Sequence, residues 1–423
     1  MSNKSPYCRW VFFYCFFIIG TSNSLKAEIL DSDRDMIFEP RKRYELIAPV
    51  DVQTGRSLEK ISYGDLPTAA LDGSLADFRE AISRQVTRCL VQDLNQTWDF
   101  DGRTVTRREY CVETGNSFLK LIDQSKNFKD LIKKTKSDYD WYRSVGSDGQ
   151  GAVKFTGYYL PLLNGREVRS PTFSHPLYGR PTDLVEANQK GVTEWKRKMP
   201  DGSFGAYFTR WMIDWEEKLL GRNIELFYTN DFIDVFFLQI QGSGIVRYPL
   251  SDGNFKKVFV NYNSQNGHPY FSIGKQLRRE GVDSKYLSLQ GLKKYFEENP
   301  YEIGRVLPMN KSYVFFQKES SGPYGSSGTV LVPWHSIATD RSHFAQGAIG
   351  IIQTQKPEVV DGVITEWRDF SRFVVNQDTG GAIKGAGRVD VYWGSGTYAE
   401  LAAGNMIAEG GLYFALKKNS KEE

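Results

Sequence analysis

The chain has 423 residues, 54 Lys and Arg against 51 Asp and Glu, and 40% hydrophobic residues, enough for two or three domains with a sizeable core. An aromatic content of 14% with nearly cancelling charge excludes a disordered chain, and the lack of a basic surplus argues against nucleic-acid binding by phosphate neutralisation. Four Cys in this length exclude a disulfide-rich scaffold.

In chain order, Lys4 and Arg9 precede an apolar stretch from Trp10 to Gly20, followed by small and polar residues up to Ala27. This is the layout of a secretory signal peptide over 1–27, with a cut after Ala27 or Ser24. The run is short of the ~20 apolar residues that span a bilayer, although an uncleaved anchor is the alternative. Cys15 lacks the flanking residues of a lipidation site. Removing this segment takes Lys4, Arg9 and Lys26 and no acid, so the exported chain has zero net charge. It keeps Cys89 and Cys111, which pair under oxidising conditions or stay as two buried thiols.

Residues 28–70 show little periodicity and read as an extended leader. Leu75, Phe78, Ile82, Val86 and Leu90 follow helical spacing behind Ser74 or Asp72 as cap, and a second helical stretch runs from Ser117 to Lys134. From Val153 the pattern turns to short segments rich in aromatic and β-branched residues: Val153–Leu163, Ile224–Tyr228, Val235–Ile240, Lys257–Tyr262 and Tyr313–Gln317. Helices are expected at Ser272–Glu280 and Leu287–Glu298. Ser320–Gly328 reads as a connector or surface loop, and Val330–Val332, Ala348–Gln353, Phe373–Val375 and Val389–Trp393 as further strands.

No His-Glu-x-x-His, paired Cys-x-x-Cys, Gly-x-Ser-x-Gly or Walker-type loop occurs, so neither a metal nor another cofactor is called for. Carboxylates remain, in three Gly-rich settings: Pro333-Trp-His-Ser-Ile-Ala-Thr-Asp340, Gln377-Asp378-Thr-Gly380-Gly-Ala-Ile-Lys384-Gly385, and Gly387-Arg388-Val-Asp390-Val-Tyr-Trp393-Gly-Ser-Gly396. An Asp beside Gly is most often a turn residue. Asp340 and Asp378 fit that reading best. Asp390 fits it least, because it alternates with Val389 and Val391 along a strand. Partial desolvation there raises a carboxylate's pKa and suits it to acid work near neutral pH. Phe155-Thr-Gly-Tyr-Tyr-Leu-Pro161 and Phe236-Phe-Leu-Gln-Ile-Gln-Gly-Ser-Gly244 add aromatic faces and amide and hydroxyl groups, which suit sugars. A core Tyr pair and a hairpin turn are the plainer readings of these two segments.

Together these segments resemble the membrane-bound lytic murein transglycosylase A family. The matching stretches are Phe-Thr-Gly-Tyr-Tyr-x-Pro at 155–161, Gln-Ile-Gln-Gly-Ser-Gly at 239–244, Asn-Gly-His-Pro-Tyr-x-Ser-Ile-Gly at 266–274 and Asn-x-Ser-Tyr-Val-Phe-Phe at 310–316. They continue with Ser-Ile-Ala-x-Asp at 336–340, Asp-x-Gly-Gly-Ala-Ile-Lys-Gly at 378–385 and Asp-x-Tyr-x-Gly-x-Gly at 390–396, all in the family's order.

The resemblance implies a mainly β chain with a helical N-terminal part. It implies a double-psi β-barrel domain carrying a smaller inserted β-barrel domain, with a substrate groove between them. Mapped here, 28–160 is the N-terminal part of the main domain, 161–232 the insert, and 233–423 the rest, with a three-aspartate module at about 329–400. The implied reaction is water-free cleavage of the β-1,4 bond between N-acetylmuramic acid and N-acetylglucosamine, leaving a 1,6-anhydromuramoyl end. Asp390 falls on the catalytic acid and Asp378 on a supporting one. Thr156, Tyr158, Gln241, Ser243, Gly380, Lys384 and Trp393 fall in the groove. The implied partners are peptidoglycan glycan strands and proteins of cell-wall synthesis and hydrolysis, around a monomer in the periplasm or at the outer membrane. Two positions depart from the family pattern. Leu160 stands where an acid or polar residue is common, with a groove contact at stake, and His335 where Arg is common, with a local ion pair at stake.

Overall fold

The computed structural model describes residues 56–189, 192–250 and 254–418. The leader peptide and residues 28–55 lie outside them. Six strands close a barrel in the order Val153–Leu160, Arg388–Ser395, Ser336–Ala338, Val363–Asp378, Ile349–Val360 and Ala408–Lys417, which pairs back onto the first strand. Val153–Leu160 runs parallel to Arg388–Ser395, and Ser336–Ala338 parallel to Val363–Asp378. Closure leaves no free edge among these six strands. The strands Tyr139–Ser144 and Leu58–Ile61 extend the sheet from Ala408–Lys417. The expected leader therefore includes a paired strand, because Leu58 is buried against the barrel.

The N-terminal helices cover this barrel. Ser74 accepts from the Asp77 amide and starts helix Leu75–Cys89, which buries Phe78, Ala81, Ile82, Gln85, Val86 and Cys89. Asp72, the other candidate cap, instead binds Arg372 and Lys356. The stretch expected as one helix from 117 to 134 is two, Thr114–Asp123 and Phe128–Lys134, because Asn127 caps the second. Cys89 and Cys111 form a disulfide beneath Gly347.

A second sheet runs Val314–Glu319, Phe255–Gln265, Ser243–Pro249, Leu162–Arg166, Glu225–Thr229 and His175–Tyr178. A bridge from Gly179 to Phe316 joins its two edges, so it too curls. Its strands reach Glu319, well past the insert boundary expected at 232. A small sheet of Leu184–Gln189, Val192–Lys198 and Phe204–Gly205 accompanies it.

Three further elements differ from expectation. Val235–Ile240 is not a strand but part of helix Phe232–Gln241. The unbroken buried apolar run Val235–Leu238 masks the 3.6-residue period, so periodicity gave no helical signal. Asp231 caps it through the Ile233 and Asp234 amides, and Gly242 ends it at φ 80°. Val330–Val332 forms only a single bridge, from Val330 to Tyr324. Residues 70–145 also contain the hairpin Thr97–Phe100 and Arg103–Thr106 among the helices. The helices Ile273–Arg279 and Leu289–Glu298 form as expected, capped by Ser272 and Ser288.

Candidate active site

The short strand Ser336–Ala338 lies between the two acid-bearing strands, and Ala338 is the register partner of both Asp378 and Asp390. Two strand spacings, ~10 Å, therefore separate the backbones of the two acids. On the far side of Asp390, the Val153–Leu160 strand pairs Thr156 with Asp390 and Tyr158 with Tyr392. Residues two apart on a strand share a face. The Thr156 hydroxyl donates to Asp390 Oδ1, and the Tyr158 hydroxyl donates to Asp378 Oδ2 at 3.0 Å.

Asp390 is partly exposed, with 19% of its side chain accessible. Arg388 on the same strand face places its guanidinium 3.2 Å from Asp390 Oδ1 and donates to the Thr156 hydroxyl at 2.7 Å. Arg388 was not singled out in the sequence, although its place two residues before Asp390 was the available signal. Cations flank this corner. Partial burial, and then the charges of Arg388, Lys275 and Arg278, push the Lys154 ammonium below its ordinary value.

Asp378 ends its strand and holds a loop. Its Oδ1 accepts from the Ser326 and Thr379 amides, both at 2.8 Å. Burial pushes its carboxyl above the ordinary range, against the pull of these bonds and of Tyr158. Burial, and then the charge of Asp378, raises the Tyr158 phenol well above its usual value, so it stays a donor. The Ser320–Gly328 segment is a surface loop pinned by Asp378, by Ser327 on the Gln377 carbonyl and by Arg88 on the Ser327 carbonyl.

Asp340 serves as the turn residue it resembled. It accepts from Ser342 and from the Gly385 amide at 2.8 Å. Burial works to raise its carboxyl, but these bonds and Lys384 outweigh it and hold it below the ordinary range. The loop bearing Gly380 and Lys384 is thereby tied to the barrel, with Lys384 exposed. Gln241, the last residue of its helix, accepts from the Tyr159 amide at 3.1 Å. Ser243 opens the next strand, opposite Asn261.

Trp393 does not face a groove. It is 2% exposed and packs in the barrel against Trp334, Tyr398 and Phe370. A Cβ on Gly157 would lie 2.3 Å from its indole nitrogen, so the glycine of the Gly-Tyr-Tyr motif makes room for this ring. Alternation explains the error: Val389, Val391 and Trp393 point inward together. Leu160 is likewise buried, against Leu331 and Tyr392, and offers no groove contact. Among the described residues His335 forms no ion pair; it bonds the Phe373 carbonyl at 2.7 Å beside Phe78. Burial and the neighbouring Arg372 push it down to about 4.

A family model described as the MltA specific insert domain matches residues 154–317, and one described as the 3D domain matches 335–416. The membrane-bound lytic murein transglycosylase A of Escherichia coli (strain K12) is 31% identical over 268 residues, 63% of this chain and 66% of that one. Its homolog from Buchnera aphidicola is 29% identical over 294 residues, covering 68% and 72%. The crystal structure of membrane-bound lytic murein transglycosylase from Agrobacterium tumefaciens superposes with a TM-score of 0.68 at 24% identity, over 85% of this chain and 98% of that one. With both domain models matched in order across the barrel and the second sheet, the chain belongs to the membrane-bound lytic murein transglycosylase A family.

Proposed function

We propose that the protein is an exported cell-envelope enzyme, a peptidoglycan lytic transglycosylase that acts on glycan strands and leaves 1,6-anhydromuramoyl ends. The observation that carries this reading is the strand face on which Thr156 and Tyr158 engage Asp390 and Asp378 separately. Both acids are half-buried, and Asp378 is the one whose two oxygens are taken up by the fold.

In this reading Asp390, protonated, gives its proton to the glycosidic oxygen as the bond to the anomeric carbon breaks. As carboxylate it then takes the proton of the sugar's own 6-hydroxyl, whose oxygen bonds the anomeric carbon. The proton count closes within one catalytic cycle. An internal nucleophile brings a large proximity advantage, so neither an enzyme nucleophile nor a water is needed. Thr156 and Arg388 position Asp390, and Arg388 balances its charge in the carboxylate state. Asp378, holding Tyr158 and the 326–328 loop, shapes the wall of the site. Gln241, Ser243, Gly380 and Lys384 contact sugar in this account, and Trp393 supports from behind.

A hydrolase that uses Asp378 to activate a water is the competing reading. Both Asp378 oxygens already accept hydrogen bonds, which disfavours that role. Mass spectrometry of fragments released from purified sacculi separates the two. Ends one water lighter than reducing ends support the transglycosylase, and reducing ends support the hydrolase.

A further inference from the structure

Two cavities open on the second-sheet side of the chain, and neither is lined by Asp378 or Asp390. The larger is about 410 Å³, within the usual range of small-molecule sites. Arg180, Thr182, Val185, Glu186, Trp195 and Asn263 line it. Asn263 donates from Nδ2 to Gln317 Oε1 at 2.6 Å, while its Oδ1 is buried with no partner among the described residues.

The remaining lining narrows the class of ligand. Trp195 offers an apolar ring, held with the Arg180 guanidinium 5.8 Å from its centroid. Arg180 and Glu186 bring one charge of each sign, so the cavity does not select for net charge. Thr182 adds a hydroxyl. A flat aromatic surface, hydroxyl and amide groups in the lining and balanced charge suit a neutral polyhydroxyl ligand. The cavity sits off the acids. Asn263 is two residues, ~7 Å, along its strand from Asn261, the register partner of Ser243.

We propose that this cavity is a second saccharide site, which holds N-acetylated sugar units of a glycan strand away from the bond being cut. It rests on the function proposed above and adds to it a grip that does not depend on the acids.

The test is equilibrium binding of an N-acetylglucosamine hexamer to the full chain carrying Asp390→Asn, with Trp195→Ala or Val185→Trp added. Val185→Trp fills the cavity while keeping the Trp195 ring in place. Both additions are expected to weaken hexamer binding about 10-fold, the scale of one lost aromatic contact with its hydrogen bonds. Undiminished hexamer affinity in both variants overturns the site. Displacement from the cavity by an isolated stem peptide, but not by the sugar, overturns its assignment to saccharide. Reducing ends from wild-type digests would overturn the transglycosylase reading alone and leave the hexamer result standing.

Discussion

The Tyr158 hydroxyl donates to Asp378 Oδ2 at 3.0 Å, across from the two backbone amides that occupy Oδ1. One phenol thus fixes a half-buried acid that also holds the neighbouring loop. Tyr158→Phe keeps the ring and its contact with Tyr392 but removes this bond. A hydrogen bond to a charged group is worth about 1.5–3 kcal/mol, so a fall in kcat of about 10- to 100-fold on sacculi is expected. Thermal unfolding of the variant checks that the ring still packs.

Thr156 links Asp390 to Arg388 through one hydroxyl. Thr156→Val retains the branched side chain suited to a strand but breaks both bonds. The expected outcome is a fall in kcat of about 10-fold, with KM for sacculi changed less than kcat. A KM effect alone would place Thr156 in sugar binding instead of in positioning the acid.

His335 gives the fold a pH dependence of known sign. Its folded pKa of about 4 lies below the ordinary 6.5, because burial, then Arg372, disfavour the imidazolium. The unfolded chain therefore binds more protons between these values. The neutral ring's contribution is complete above pH 6.5 and is lost as the pH falls towards 4, by up to roughly 3 kcal/mol. Asp214, raised by burial to about 6, titrates in the same window with the opposite sign. The contribution of His335 is therefore read as a difference: His335→Gln should flatten the fall in denaturant stability of the wild type between pH 6.5 and 4.

The Cys89–Cys111 disulfide closes a loop of 22 residues between the first helix and the segment before Thr114–Asp123. Reduction, or the double change to Ala, should cost about 3 kcal/mol of stability. Chemical denaturation with and without reductant measures this, and the folded fraction should keep its turnover.

Much of this architecture was legible in the residues. Helix Leu75–Cys89 followed from its 3.6-residue spacing and the Ser74 cap, and Asp390 stood out by its alternation with buried valines. Phe232–Gln241 was not legible, because the unbroken apolar run Val235–Leu238 reads equally well as a buried strand. Trp393 was misplaced because aromatic character alone does not tell which face of a strand a ring occupies; the small Gly157 opposite it was the clue. Arg388 was marked only by its place two residues before Asp390 on the same strand face. The disulfide was open in the sequence, since two lone cysteines give no distance.

The central claim is that Asp390 carries the proton out and back. The most direct measurement is the rate at which Asp390→Asn releases anhydro-ended fragments from sacculi, read beside its binding to the same sacculi. The account predicts a loss of at least ~100-fold in rate with binding retained. Near-wild-type release of anhydro ends would contradict it and transfer the acid role to Asp378.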